Sequence, residues 1–172
     1  MPAVQDWGTT EAERAEPFPC DAQMPDVTKV WYRGIDVAAP PAVVFRWLCQ
    51  LRKAPYSYDI LDNLGRRSPR TLTPGLEQLE LGQKFMLFYA LEDFEPDRSI
   101  TIVFQRFLWA FGRRAVTYRV TAAEGGSRLV AKVRHKKPPL PFGLTVPHVL
   151  PWLDLIMMKK QLRTLAKLAE KG

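Results

Sequence analysis

Cysteine and histidine are scarce in this 172-residue chain, at two residues each. Cys20 and Cys49 stand far apart and match no metal or redox spacing, so free thiols in a reducing cytoplasm are the expectation. His135 and His148 sit beside lysines or prolines. Without a Cys/His cluster, a zinc site needing three or four ligands is not expected. No run of ~18 uninterrupted apolar residues is present to cross a bilayer, and no basic segment leads into an apolar run at the N-terminus. Integral membrane association and a secretory signal are therefore not expected, and a soluble protein is. A glycine-rich phosphate loop is also missing. Gly125-Gly126-Ser127 lies between two strand patterns, which makes it a hairpin turn and not a nucleophile elbow. The basic residues carry no aromatic-interleaved repeat or nucleic-acid motif. Nucleic acid is not an expected partner, and nothing in the chain calls for a cofactor.

What is present begins with charge. The net charge of +7 is uneven: residues 1–28 hold six acids against Arg14, net −5, so the remainder carries +12. With Pro2, Pro17, Pro19 and Pro25, the first ~27 residues read as an acidic, extended arm outside the core. Residues 29–172 read as one domain, long enough to bury a core unaided. Its basic residues are scattered and read mainly as a solvated surface, with capacity to attract an acid or phosphate group.

The one long stretch of helical periodicity is Val149 to Lys171. Trp152, Leu155, Met158, Leu162, Leu165 and Ala169 recur at steps of three and four. The first turns are apolar almost all round, which predicts that something wraps them, and Pro151 suits a first-turn position. Upstream, Lys29 to Val37 predicts a strand, followed after Pro40-Pro41 by a helix over about Ala42 to Leu51. Residues 53–74 are polar and irregular, with a short helix around Ile60 to Leu64 that Asp59 could cap. Strands are then predicted over Lys84 to Leu91, Ser99 to Gln105, Arg114 to Thr121 and Arg128 to Arg134, with Leu76 to Leu81 as a further candidate. Turn-linked strands of this kind make an antiparallel meander, and Pro138 to Pro147 crosses into the last helix.

The order is strand, one or two short helices, antiparallel strands, long C-terminal helix. The run Gly34-Ile35-Asp36-Val37-Ala38-Ala39-Pro40-Pro41-Ala42-Val43-Val44-Phe45-Arg46-Trp47-Leu48 resembles the opening of the START-related SRPBCC superfamily. That superfamily includes polyketide cyclases, lipid-transfer proteins and the birch-pollen-allergen group. Val116 to Val120 and Gly126 to Val130 resemble its last hairpin. Ala54 to Asp59 and Asn63 to Pro69 are similar to a bacterial subgroup of unassigned activity. The resemblance implies an α+β helix-grip fold, a curved antiparallel sheet wrapped around the C-terminal helix. It also implies a cavity between the two for a hydrophobic or amphipathic small molecule.

Candidates for that cavity are Arg33, Tyr56, Tyr58, Asp59, Phe85, Tyr89, Tyr118, Trp152, Met157 and Met158. The methionines and Trp152 would give an adaptable apolar lining, and the tyrosines would present a polar tip. Arg33 shares a strand face with Ile35 and Val37, so an inward guanidinium needs either an internal carboxylate such as Asp154 or a ligand anion. Catalysis has weaker support. Asp59 and Asp62 could share a helical face as acid and base, but no cyclase motif maps onto the chain. Binding or transport is the leading expectation, a cyclase- or dehydratase-like enzyme the alternative, and an interaction module using the basic surface the third.

Overall fold

The computed structural model describes residues 4–27, 29–58, 64–138 and 146–172, with side chains from residue 149 onward in the last stretch. The proposed Asp59-capped helix, the Asp59/Asp62 pair, the His148 side chain and most of the proline-rich crossover lie outside the described residues.

Seven strands form one sheet in the order β1-β2-β7-β6-β5-β4-β3. They are β1 (Asp6–Trp7), β2 (Lys29–Val37), β3 (Lys84–Phe85), β4 (Tyr89–Glu95), β5 (Ser99–Phe104), β6 (Arg113–Ala123) and β7 (Gly126–Lys136). β1 joins β2 in parallel, and the other pairs are antiparallel. Period-two alternation gives the sheet its inner face. Trp31, Val133, Val116, Ile102 and Leu91 stand opposite one another across five strands, all buried. Helix α5 (Val146–Ala169) lies over this face, burying Leu155, Met158, Leu162, Leu165 and Ala169. Helix α3 (Pro41–Cys49), with Pro41 at its start, adds Val44, Phe45 and Leu48 before a tight turn at Gln50–Arg52.

Four expectations are corrected. The predicted strand Lys84 to Leu91 is two strands: Met86 takes a left-handed φ of 50°, and its N–H donates to the Leu51 carbonyl at 2.6 Å. Its apolar residues alternate on both faces, which period alone reads as continuous. The turn at residues 86–88 aims them at different targets. Leu76 to Leu81 is turn and irregular backbone instead of a strand. Helix α5 begins at Val146, so Pro151 lies inside it. Its first turns are not wrapped: Val149, Trp152 and Ile156 are exposed, because no described element covers that side.

The N-terminal segment is the largest difference. Residues 4–27 do not extend away; they cover the sheet's outer face through α1 (Glu11–Ala15) and α2 (Pro19–Gln23). Phe18, Cys20, Met24 and Val27 form a second buried cluster with Ala115 and Val130. The Cys20 N–H donates to the Thr117 hydroxyl at 3.0 Å, and that hydroxyl sits 2.8 Å from Thr101. Acids of the segment meet basic strand residues: Glu13 with Arg128, Glu16 with Arg119, and Asp21 with both Lys132 and Arg134. The charge asymmetry of the sequence is thus an intramolecular match. Cys20 and Cys49 are buried free thiols on opposite sides of the sheet. Burial pushes the Cys49 thiol up to about 12.

Candidate functional site

Between the β3–β6 half of the sheet and the first turns of α5 lies a cavity of about 260 Å³. That is a little under the ~300 Å³ at the small end of ligand pockets. The short turn of Met86, Leu87 and Phe88 forms one wall. A second comes from Phe104, Phe107 and Phe111, carried by β5 and the one-turn helix α4 (Leu108–Phe111). Leu150, Leu153, Met157 and Met158 close it from α5. The aromatic rings pack edge to face, Phe88 against Phe104 at 6.1 Å and Tyr89 against Phe104 at 5.2 Å. Such an arrangement presents ring faces to an apolar guest. Gly112 closes α4 onto β6 with a φ of 79°, and a Cβ there would collide with the Lys136 carbonyl oxygen.

The polar groups are few, and most are engaged. Tyr118 donates its hydroxyl to Gln161 Oε1 at 2.7 Å, and Gln161 Nε2 donates to the Pro55 carbonyl at 2.7 Å. Burial pushes the Tyr118 hydroxyl well above its usual range, so it stays neutral. Asp154, buried at the cavity edge, holds two guanidinium groups: Arg33 at 2.8 Å and Arg114. Arg33 is fully buried and also donates to the carbonyls of Val4, Gln5 and Tyr32. Burial, then the neighbouring Arg114, lowers it to about 10, still charged at neutral pH. Arg114 lines the cavity, with its guanidinium 5.5 Å from the Trp31 ring centroid. Its Nε is buried without a hydrogen-bond partner.

His135 stacks on Trp31 with ring centroids 5.3 Å apart. Burial, then Arg114 and Lys29, lowers it from 6.5 to about 4, so it is neutral in the folded protein. The unfolded chain takes up a proton near 6.5, whereas the folded one resists it down to about 4. Stability is therefore full above 6.5 and declines as pH falls through that window. Unfolding by urea should cost about 2 kcal/mol less at about pH 5 than at about pH 7.5, and His135→Gln should remove most of that slope. An unchanged slope in the variant would assign the effect elsewhere.

Of the sequence candidates, Tyr89, Tyr118, Met157 and Met158 line the cavity. Arg33 stands behind it, reaching it through Asp154. Phe85 and Tyr56 are fully buried in the core, Tyr56 edge-on to Trp47 at 6.1 Å. Tyr58 is at the surface under the Lys160 ammonium, and Trp152 is exposed beside the mouth. Residues missed by sequence reasoning include Arg114, Gln161 and the three phenylalanines of 104–111. Their signal was available: Phe107 and Phe111 in the connection after β5, at helical spacing from Phe104 at that strand's end, make it too apolar for an ordinary loop. Among the described residues, no group of three or more His, Cys, Asp or Glu could hold a metal ion, and no helix is long and apolar enough to cross a membrane.

No protein-family model matches the chain, and no curated protein matches it in sequence. Solved structures do. The di-domain ARO/CYC StfQ of the steffimycin biosynthetic pathway superposes with a TM-score of 0.56 at 14% identity, over 87% of this chain and 53% of StfQ. This chain thus spans about half of StfQ. A Rhodobacter sphaeroides protein gives 0.53 at 14% identity, covering 81% of this chain and 91% of its own. A Nitrosomonas europaea protein gives 0.52 at 11% identity, covering 91% and 99%.

Proposed function

We propose that the chain, which has the helix-grip fold of the START-related SRPBCC superfamily, binds a small apolar molecule with ring character and does not transform it. The observation that carries this reading is the aromatic- and methionine-lined cavity of about 260 Å³ between sheet and α5. Its size suits a bicyclic ring system, with any longer tail left at the open mouth, where Leu87, Phe107, Phe111 and Leu153 are exposed. StfQ is an ARO/CYC on the same fold, but one fold hosts many activities. Here the Tyr118 hydroxyl is committed to Gln161 and the Asp154 carboxylate to two arginines. Neither is placed as a general acid or base, which favours binding over turnover.

Titration with N-phenyl-1-naphthylamine, a neutral apolar fluorophore, tests this. Saturable enhancement is expected for the unaltered protein. Met157→Trp, which fills the cavity from the helix side, should weaken it about tenfold or more, ~1.4 kcal/mol, with the melting temperature little changed. Absence of saturable binding, or equal binding by both proteins, would sink the reading.

A further inference from the structure

The cavity is apolar in bulk but not neutral at one edge. Two guanidinium groups, Arg33 and Arg114, share the single carboxylate of Asp154. Of the other charges near by, Lys29 adds to the positive side. Asp6 is paired with Arg14, and His135, beside Arg114 in the sheet register, is uncharged. The cluster therefore carries one uncompensated positive charge, and the two arginines do not share it evenly. Arg33 spends its terminal nitrogens on Asp154 and on three backbone carbonyls, away from the cavity. Arg114 has only Asp154 and the face of Trp31 for its terminal nitrogens and borders the cavity, which Arg33 does not; the Nε of each is buried without an acceptor, so the difference lies in the terminal nitrogens. A guanidinium whose side chain is only 15% exposed, with terminal donors to spare, strongly favours a planar anion that can take two parallel hydrogen bonds.

We infer that Arg114 is the anchor for a carboxylate on the cavity's ligand, making the natural ligand an aromatic or alicyclic acid with its ring among the phenylalanines. This rests on the ligand-binding reading of the same cavity and specifies its chemistry. The ligand's carboxylate completes the charge balance that Asp154 half supplies, giving two acids and two arginines at the cavity edge. Asp154 is a positioning residue: it holds the Arg114 guanidinium at the cavity edge.

The test is calorimetric titration with 2-naphthoate and 2-naphthamide, which share a shape and differ in charge. The unaltered protein should prefer the acid on the order of tenfold to a hundredfold. Arg114→Met leaves Arg33 and Asp154 as a balanced pair, so the fold should persist. The preference should vanish while amide binding changes little. Equal affinity for acid and amide in the unaltered protein overturns the anchor and leaves the binding reading standing, and binding of neither overturns both. A preference that survives in Arg114→Met places the anchor on another residue and overturns the assignment. The acid-to-amide ratio of the unaltered protein decides the charge question even where the variant fails to fold.

Discussion

Asp154→Asn should destabilise the protein by about 3–5 kcal/mol, the cost of leaving a buried charge without its partner. The carboxylate is 3% exposed and sits between two guanidinium groups, one of them fully buried. Asparagine keeps the shape and one acceptor but removes the charge, so Arg33 and Arg114 face each other with no counter-charge between them. For a domain of this size each kcal/mol moves the melting temperature by ~2–4 °C, so a fall of about 10 °C or more is expected. The paired substitution Arg33→Met with Asp154→Leu should recover most of the loss, because an apolar pair of similar volume needs no counter-charge. Arg114 then remains alone beside the cavity, where water can reach it. Urea unfolding of the three proteins measures this, and a single variant within ~1 kcal/mol of the parent would contradict it.

Phe18→Ala should cost about 3 kcal/mol or more, as for a buried phenylalanine in a core. The residue belongs to a segment whose composition reads as a solvated arm, in which such a change would be worth ~0.5 kcal/mol at most. In the structure Phe18 is 3% exposed on the sheet's outer face. The Arg119 guanidinium lies 3.8 Å from its ring centroid and the Lys132 ammonium 5.2 Å. A partly desolvated cation over a ring adds ~0.5–2 kcal/mol to the packing, so Phe18→Leu should cost less than alanine but still be measurable. Equilibrium unfolding should remain a single transition in all variants, because the outer cluster shares β6 and β7 with the main core. A separate early transition, or an effect under ~1 kcal/mol, would mean that the segment docks independently of the fold.

The contrast between Phe18 and β2 shows which parts of this fold a sequence can carry. The range Lys29–Val37, the 126–136 strand and the α5 stripe from Leu155 onward repeat a period over two or more turns or pleats, and a period is a local property. Helices α1 and α2 are five residues each, too short for a period, and are held by contacts with strands about a hundred residues away. The acids of the segment and the basic excess of the body were visible as totals, but not as partners. Trp152 failed for a different reason. It continues the buried stripe by spacing, yet among the described residues no element covers it. At the cavity, Tyr118 and the methionines were legible because they sit on long regular elements. Arg114 was not, since its importance lies in sharing Asp154 with Arg33, a relation that no single stretch of sequence records.

One feature of the sheet bears on how copies of the molecule behave when crowded. Its two edge strands, β1 and β3, are two residues long each. Beyond β3, Gly82 and Gln83 continue the pairing with Leu91 through one hydrogen bond in each direction. A long open edge is a template on which a neighbour's strand can align and propagate. Among the described residues, neither edge strand is itself a run long enough to seed one. Contact between copies at high concentration is therefore left to side chains, chiefly the apolar ones around the mouth. Such association is reversible and dilutes away, unlike fibrillar growth along backbone edges.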